Sequence, residues 1–374
     1  MGSASEAPEA LRTIAEEEVE FHEGPVLGPS HRPPERLAPL DQLIVAALQA
    51  DGRASWREIA RLVHSSESTV ARRTRALINS GAIRTTAIID PAKSGQGYPV
   101  LLQLRCQPSM GNNVARTLAT RPDVRFVTVV TGPFDVVAEL IVPSKRQLAR
   151  FLLEELASIE GVTHTSTETV LRNFKTAYDW SSELLENPLT PTKESQPSTS
   201  EKHLQLDAID LRLIESLRQD GRKGYPELAI ALNITESMAR RRVELLVSSR
   251  LLLPITLVEP SLLGYEVEVM VWLQVELSQL DSIAAALAAR PEVRYLSATS
   301  GYSDLVAEII LRSNEDLYSF RTQTLGSLPG IRASEMALEL CTVKRAYQLR
   351  EDEEPNVVQL KSLAKAADHD RFRS

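Results

Sequence analysis

The chain contains one long sequence written twice. Asp41–Ala60 (DQLIVAALQADGRASWREIA) recurs as Asp210–Ala229 (DLRLIESLRQDGRKGYPELA), 169 residues further on. The same offset pairs Arg121-Pro122-Asp123-Val124-Arg125 with Arg290-Pro291-Glu292-Val293-Arg294. It also pairs Gly132…Asp135-Val136-Val137-Ala138-Glu139 with Gly301…Asp304-Leu305-Val306-Ala307-Glu308. Solenoid units run to about 20–50 residues, so a repeat of this length is a whole folded unit in tandem. A covalent duplicate of a unit that pairs with itself carries its own dimer. The expectation is an intramolecular pseudo-dimer, with a larger homo-oligomer left open.

Composition narrows the class. Hydrophobic content of 43% and charged content of 25% suit an ordinary globular chain. The sequence has no run of the ~18 apolar residues that a membrane helix needs. The start lacks a basic-then-apolar signal pattern, and Glu6 stands where a myristoylation motif has Ser or Thr. The expected location is the cytoplasm, with no membrane partner. Cys106 and Cys341 are too few for a disulfide framework and read as free thiols. The six histidines are scattered without metal-ligand spacing, so no metal and no cofactor is expected. A net charge of −8 disfavours indiscriminate coating of nucleic acid but leaves room for local basic faces.

The organisation follows from the repeat. Residues 1–34 read as an acidic disordered tail, with a short helix around Ala10–Phe21. Residues 35–91 and 204–260 read as helix-turn-helix domains, and 92–180 and 261–350 as ferredoxin-like domains. A polar linker spans 181–203, including the Pro/Ser/Thr stretch Asn187–Lys202, and 351–374 form a tail. In the first copy Asp41 is expected to cap a helix over Gln42–Gln49. Ser55 and Glu58 form a Ser-x-x-Glu capping box for Trp56–Val63. Ser66 opens a third helix ending at Asn79, and Gly81 stops it. A strand, Ile83–Asp90, leads away. Then come Val100–Cys106, Asn112–Ala119, Val124–Val130, Phe134–Val142, Ser144–Leu156 and Val162–Val170, in the order β-α-β-β-α-β. The fold class is α+β, with both parts duplicated.

The third helix divides into two faces. Val70, Thr74, Leu77 and Ile78 face inward, while Ser68, Thr69, Arg72 and Arg75 face out. Residues 41–90 hold seven arginines against five acids, a local +2 in an acidic protein. An arginine-rich helix in isolation is more often a solvated surface. As the third helix of such a unit it suits base edges and phosphates. The candidate DNA-binding residues are Ser68, Thr69, Arg72, Arg73 and Arg75, with Ser237, Arg240, Arg241 and Arg242 in the second copy. Glu244 replaces Arg75 there, which would repel phosphate. Thr131-Gly132-Pro133-Phe134-Asp135 and its repeat around Gly301 fit ordinary hairpin turns, and Glu139 and Glu308 fit solvated strand positions equally well.

Asp41…Leu48, Asp51-Gly52-Arg53, Glu58-Ile59-Ala60, Val70…Arg73…Leu77…Ser80-Gly81-Ala82-Ile83 and Thr131-Gly132-Pro133-Phe134-Asp135 together resemble the Lrp/AsnC (feast/famine) transcriptional regulators. The resemblance covers nearly all of residues 41–175 and again 210–344. It implies double-stranded DNA as partner and a second domain that dimerises and binds small effectors, usually amino acids. The implied effector residues are Thr131, Gly132, Phe134, Asp135, Gly301, Tyr302 and Asp304. Ser303 stands where the usual loop has an aromatic residue, so copy one is expected to hold the stronger site. The expected function is a sequence-specific, effector-responsive transcriptional regulator without catalytic activity. The alternatives are an effector-binding co-regulator in which only the first helix-turn-helix, or neither, reads DNA, and a regulatory subunit of an amino-acid metabolic enzyme.

Overall fold

The structure is a computed structural model that describes residues 36–185 and 206–350. The acidic N-terminal tail, the stretch Asn187–Lys202 and the C-terminal tail lie outside the described residues. In the first copy, α1 (Pro39–Ala50), α2 (Trp56–Leu62) and α3 (Glu67–Asn79) precede the strand β1 (Ile83–Ile89). Ser55 caps α2 with the reciprocal Glu58 bond, and the Ser66 hydroxyl accepts the Thr69 N–H to cap α3. Asp41 is not a cap. The helix starts earlier, at Pro39, whose missing N–H is no loss in a first turn, and the Asp41 carboxylate instead receives Arg73.

The ferredoxin-like part is β2 (Tyr98–Cys106), α4 (Gly111–Ala119), β3 (Val124–Val130), β4 (Val136–Val142), α5 (Lys145–Arg150) and β5 (Val162–Thr176). The second copy repeats all of this. Its helical part is α6 (Ala208–Gln219), α7 (Tyr225–Leu232), α8 (Glu236–Ser248) and β6 (Leu252–Val258). Its second part is β7 (Val267–Val275), α9 (Leu280–Ala288), β8 (Val293–Thr299), β9 (Leu305–Leu311), α10 (Asn314–Ser319) and β10 (Ile331–Arg345), with a short β11 (Gln348–Leu349).

The two copies are interwoven. β1 and β6 form an antiparallel ribbon from Ile83 opposite Val258 to Ile89 opposite Leu252. The long strands β5 and β10 each serve both halves. Residues 162–169 of β5 pair with β2, and residues 170–176 pair with β8 of the other copy. Likewise β10 pairs with β7 over 331–338 and with β3 over 339–344. Eight strands therefore close on themselves in the order β10-β3-β4-β2-β5-β8-β9-β7, with β7 bonded back to β10. Closure leaves no unpaired edge between the halves.

Alternation along the strands supplies two packing faces. Val100, Leu102 and Leu104 meet α4 residues Val114, Ala115 and Leu118 on the outer side, while Leu101 joins Met270, Trp272 and Val306 between the sheets. The inter-sheet layer is also charged. Glu139 and Glu308 are buried, not solvated, and each meets the arginine of its own copy's Arg-Pro-x-Val-Arg motif. Arg125 Nε donates to Glu139 at 2.6 Å, and Arg294 pairs with Glu308. Burial disfavours the Arg125 cation, but the Glu139 carboxylate holds its pKa above the ordinary range. Glu268, Glu308 and Glu339 come together near Arg294 and Arg345, which pair with all three carboxylates. The repeated motifs thus encode buried ion pairs at the junction.

Candidate nucleic-acid interface and effector site

Each helical module borrows core from the other copy. Leu262, Leu263 and Tyr265 pack with Ile44, Leu48 and Ile59 of the first module, and Ala87 and Ile89 pack with Leu213, Leu217 and Leu228 of the second. The Asp-Gly-Arg turns then lock the modules together. Arg53 donates to the Gly221 and Lys223 carbonyls at 2.8 and 3.1 Å. Arg222 returns the contact, donating to the Gly52 and Ala54 carbonyls at 2.7 and 2.8 Å. Arg222 also lies 4.1 Å from the Trp56 ring centre, and Arg53 lies 5.1 Å from that of Tyr225. Burial, then the neighbouring Arg53, lowers the Arg222 pKa to about 10. Two symmetry-related arginines thus hold the two helix-turn-helix units in a fixed relation.

The recognition helices present what that lock leaves exposed. On α3, Ser68, Arg72 and Arg75 are exposed and Thr69 is half-buried. Val70, Thr74 and Leu77 are buried, while Ile78 is partly exposed. Arg73 reaches back to both oxygens of Asp41 at 3.0 Å, and Arg242 of α8 reaches Asp207 and Asp210 at 2.7 and 2.8 Å. These two arginines tie α3 and α8 to the first helices of their modules. Arg240 pairs with Glu236 at 3.3 Å and lies over Tyr225. Ser237 and Arg241 are exposed at the positions of Ser68 and Arg72, and Glu244 is exposed at that of Arg75.

The two loops are stitched to the opposite copy. Thr131 donates its N–H to Leu338 O and its hydroxyl accepts the Leu338 N–H, both at 2.9 Å. Ser300 makes the equivalent pair with Thr169 at 3.0 Å. Gly132 takes a positive φ of 88°, which a side chain would strain. The carboxylates of Asp135 and Asp304 each accept a backbone N–H at 2.7 Å, from Cys106 and Val275, and so brace their turns. Cys106 and Cys341 are half-buried thiols, and neither is in a disulfide.

Between the loops lies a cleft of about 530 Å³, within the usual range for small ligands. Phe134 from the first loop and Tyr302 and Ser303 from the second line it, together with Gln103, Arg105, His164, Glu168, Trp272 and Glu335. Phe134 and Trp272 meet with ring centres 5.9 Å apart. Gly132, Asp135, Gly301 and Asp304 shape the loops rather than line this cleft. The sequence reading missed Gln103, Glu168 and Trp272. For Gln103 the available signal was a polar side chain at an inward position of an otherwise apolar strand.

The Lrp/AsnC ligand binding domain matches residues 100–180 and 268–349, and the AsnC-type helix-turn-helix domain matches 39–78 and 206–247. An uncharacterized HTH-type transcriptional regulator of Pyrococcus abyssi is 35% identical over 144 residues, covering 38% of this chain and 91% of the relative. The HTH-type transcriptional regulator FL11 of Pyrococcus horikoshii is 35% identical over 137 residues, covering 36% and 90%. The siroheme decarboxylase NirDL matches 89% of this chain and 100% of its own, with a TM-score of 0.56 and 15% identity. That last likeness concerns the tandem fold alone.

Proposed function

This chain belongs to the Lrp/AsnC family, and on that premise we propose that it is a sequence-specific DNA-binding transcriptional regulator, responsive to an amino acid or a related metabolite. The observation that carries the reading is the division of labour on α3. Arg73 is spent inside the module, while Ser68, Arg72 and Arg75 are left on one exposed face. Arg72 and Ser68 suit base edges, and Arg75 suits a phosphate. Because Arg53 and Arg222 fix the modules to one another, one chain offers α3 and α8 to two half-sites at a set spacing, about one helical turn or a multiple of it. Glu244 on α8 makes the second contact the weaker.

Selecting operators from random duplexes and titrating them in gel shifts tests the reading. Arg72→Ala should cost ~1–3 kcal/mol and relax base preference. Arg75→Ala should weaken all sequences alike and lower the salt slope by about one. Parent-like binding by both variants would place DNA elsewhere or nowhere. The likeness of the tandem fold to a siroheme decarboxylase favours a second reading, in which the inter-sheet cleft binds a tetrapyrrole for catalysis. An absorption titration with an iron tetrapyrrole separates the two.

A further inference from the structure

The two recognition helices sit in equivalent frames but present different faces. Ser66 and Thr235 cap α3 and α8 at the same position, accepting the Thr69 and Met238 N–H groups. Val70, Thr74 and Leu77 of α3 and Ala239, Val243 and Leu246 of α8 are buried at matched repeat positions. The outer sides diverge. Where the first module exposes Arg57, Arg61 and Arg75, the second exposes Pro226, Ile230 and Glu244. Ile230 is 83% exposed, so an arginine position has become apolar surface and not core. Arg240, which stands where α3 has Ala71, is held by Glu236 and the Tyr225 ring. At the matched outer positions the first module offers four cations, Arg57, Arg61, Arg72 and Arg75, and the second offers one, Arg241, beside the Glu244 carboxylate.

A dimer of identical chains carries one recognition helix twice, and its operator mirrors that symmetry as a palindrome. Fusion lifts the restriction, and the outer faces depart from it. Phosphate contacts position a protein without carrying sequence information, whereas base edges are read by residues near the start of the recognition helix. Arg57, Arg61 and Arg75 supply the α3 half with phosphate contacts that the α8 half lacks, and Glu244 repels phosphate there. The α8 half therefore depends on its base contacts, and these differ at the third helical residue. Ser66 Oγ donates to Thr69 Oγ1 at 2.8 Å, which leaves the Thr69 O–H to donate to a base acceptor. Met238, at the same position of α8, is half-buried and offers an apolar side chain instead. Apolar contact in the major groove singles out the thymine methyl group.

We propose that the chain reads a non-palindromic operator in one direction. Met238 selects a thymine methyl in the half-site under α8, and Arg57, Arg61 and Arg75 anchor the half-site under α3 through its phosphates. This rests on the regulator reading above and adds to it the polarity of the site and the residue that sets the second half.

Operators selected from random duplexes by the full chain, and two symmetrised duplexes built from them, test it in gel-shift titrations. Each symmetrised duplex carries one half-site twice, inverted, at the selected spacing. The selected operators should have unlike halves, and both symmetrised duplexes should bind about tenfold or more weaker, as mismatched base pairs require. Deoxyuridine removes only the methyl of a thymine. Placed at each thymine of the α8 half in turn, it should weaken binding about fourfold at one of them, the worth of one buried methyl group. Met238→Thr with Glu244→Arg gives α8 the outer residues of α3. That variant should bind the duplex with the α3 half doubled about tenfold more tightly than the parent does, with a salt slope steeper by about one; its melting temperature serves as the check that it is folded. A palindromic consensus, a single half-site, tolerance of deoxyuridine at every thymine of the α8 half, or the parental ranking of duplexes in the double variant would overturn the proposal and leave DNA binding standing. Selection of no duplex at all would overturn both.

Discussion

Truncating Arg222 probes how the two helix-turn-helix units are held in register. Its guanidinium makes two hydrogen bonds to the Gly52 and Ala54 carbonyls and stacks over Trp56. Hydrogen bonds from a charged donor contribute roughly 1.5–3 kcal/mol each, and the ring contact about 1 kcal/mol. Against this stands the cost of holding the cation in a buried place beside Arg53, which lowers its pKa from the ordinary arginine range to about 10. That shift corresponds to roughly 3 kcal/mol. The balance is a net loss of about 2 kcal/mol for Arg222→Ala. In a protein of this size, with about 2.1 cal/mol/K of unfolding entropy per residue, it lowers the melting temperature by about 2–3 °C. Arg222→Lys should recover little, since an ammonium lacks the fork that bridges two carbonyls. Urea unfolding measures the loss. Gel shifts on duplexes with the half-site spacing altered by a single base pair measure the register, and the Ala variant should discriminate spacings less sharply than the parent. A melting temperature within about 1 °C of the parent together with parental spacing preference would refute the lock.

Two further outcomes follow. Proteolytic cutting near Ser195–Ser200 should leave the two halves associated on a sizing column without denaturant, because β5 and β10 each complete the other half's sheet; clean separation would contradict the interwoven sheet. Burial holds the Glu168 carboxyl above its ordinary range, so its stabilising contribution is complete below the unfolded pKa and lost as pH rises through the folded one. Glu168→Gln should therefore be more stable than the parent at about pH 8 and lose that advantage near pH 4, and an advantage that grows as pH falls in urea titrations would contradict the burial argument.

Local chemistry made much of the fold legible in advance. Ser55 with Glu58 and Ser66 with Thr69 are caps that a helix start needs whatever surrounds it, and the structure has both. The β-α-β-β-α-β order followed from alternation and turn residues. What stayed hidden depends on partners far away in the chain. Asp41 has the chemistry of a cap, but its partner Arg73 is 32 residues on. The Asp-Gly-Arg turns are visible as repeats, yet each arginine bonds to the other copy, across a separation of 168–170 residues. β5 runs on to Thr176 because β8 receives it, and nothing in residues 171–176 alone announces that exchange. Glu139 and Glu308 fitted solvated positions equally well because a buried carboxylate needs a cation whose position only the sheet register supplies.

On this reading one chain presents two recognition helices to DNA as a built-in dimer. Footprinting a selected operator, with the mass of the complex measured in solution at the same time, tests it most directly. The expected complex has one chain on each duplex, protecting two half-sites about one helical turn or a multiple apart, the stronger at α3. A complex in which one chain protects a single half-site, or a chain that selects no duplex at all, would contradict it.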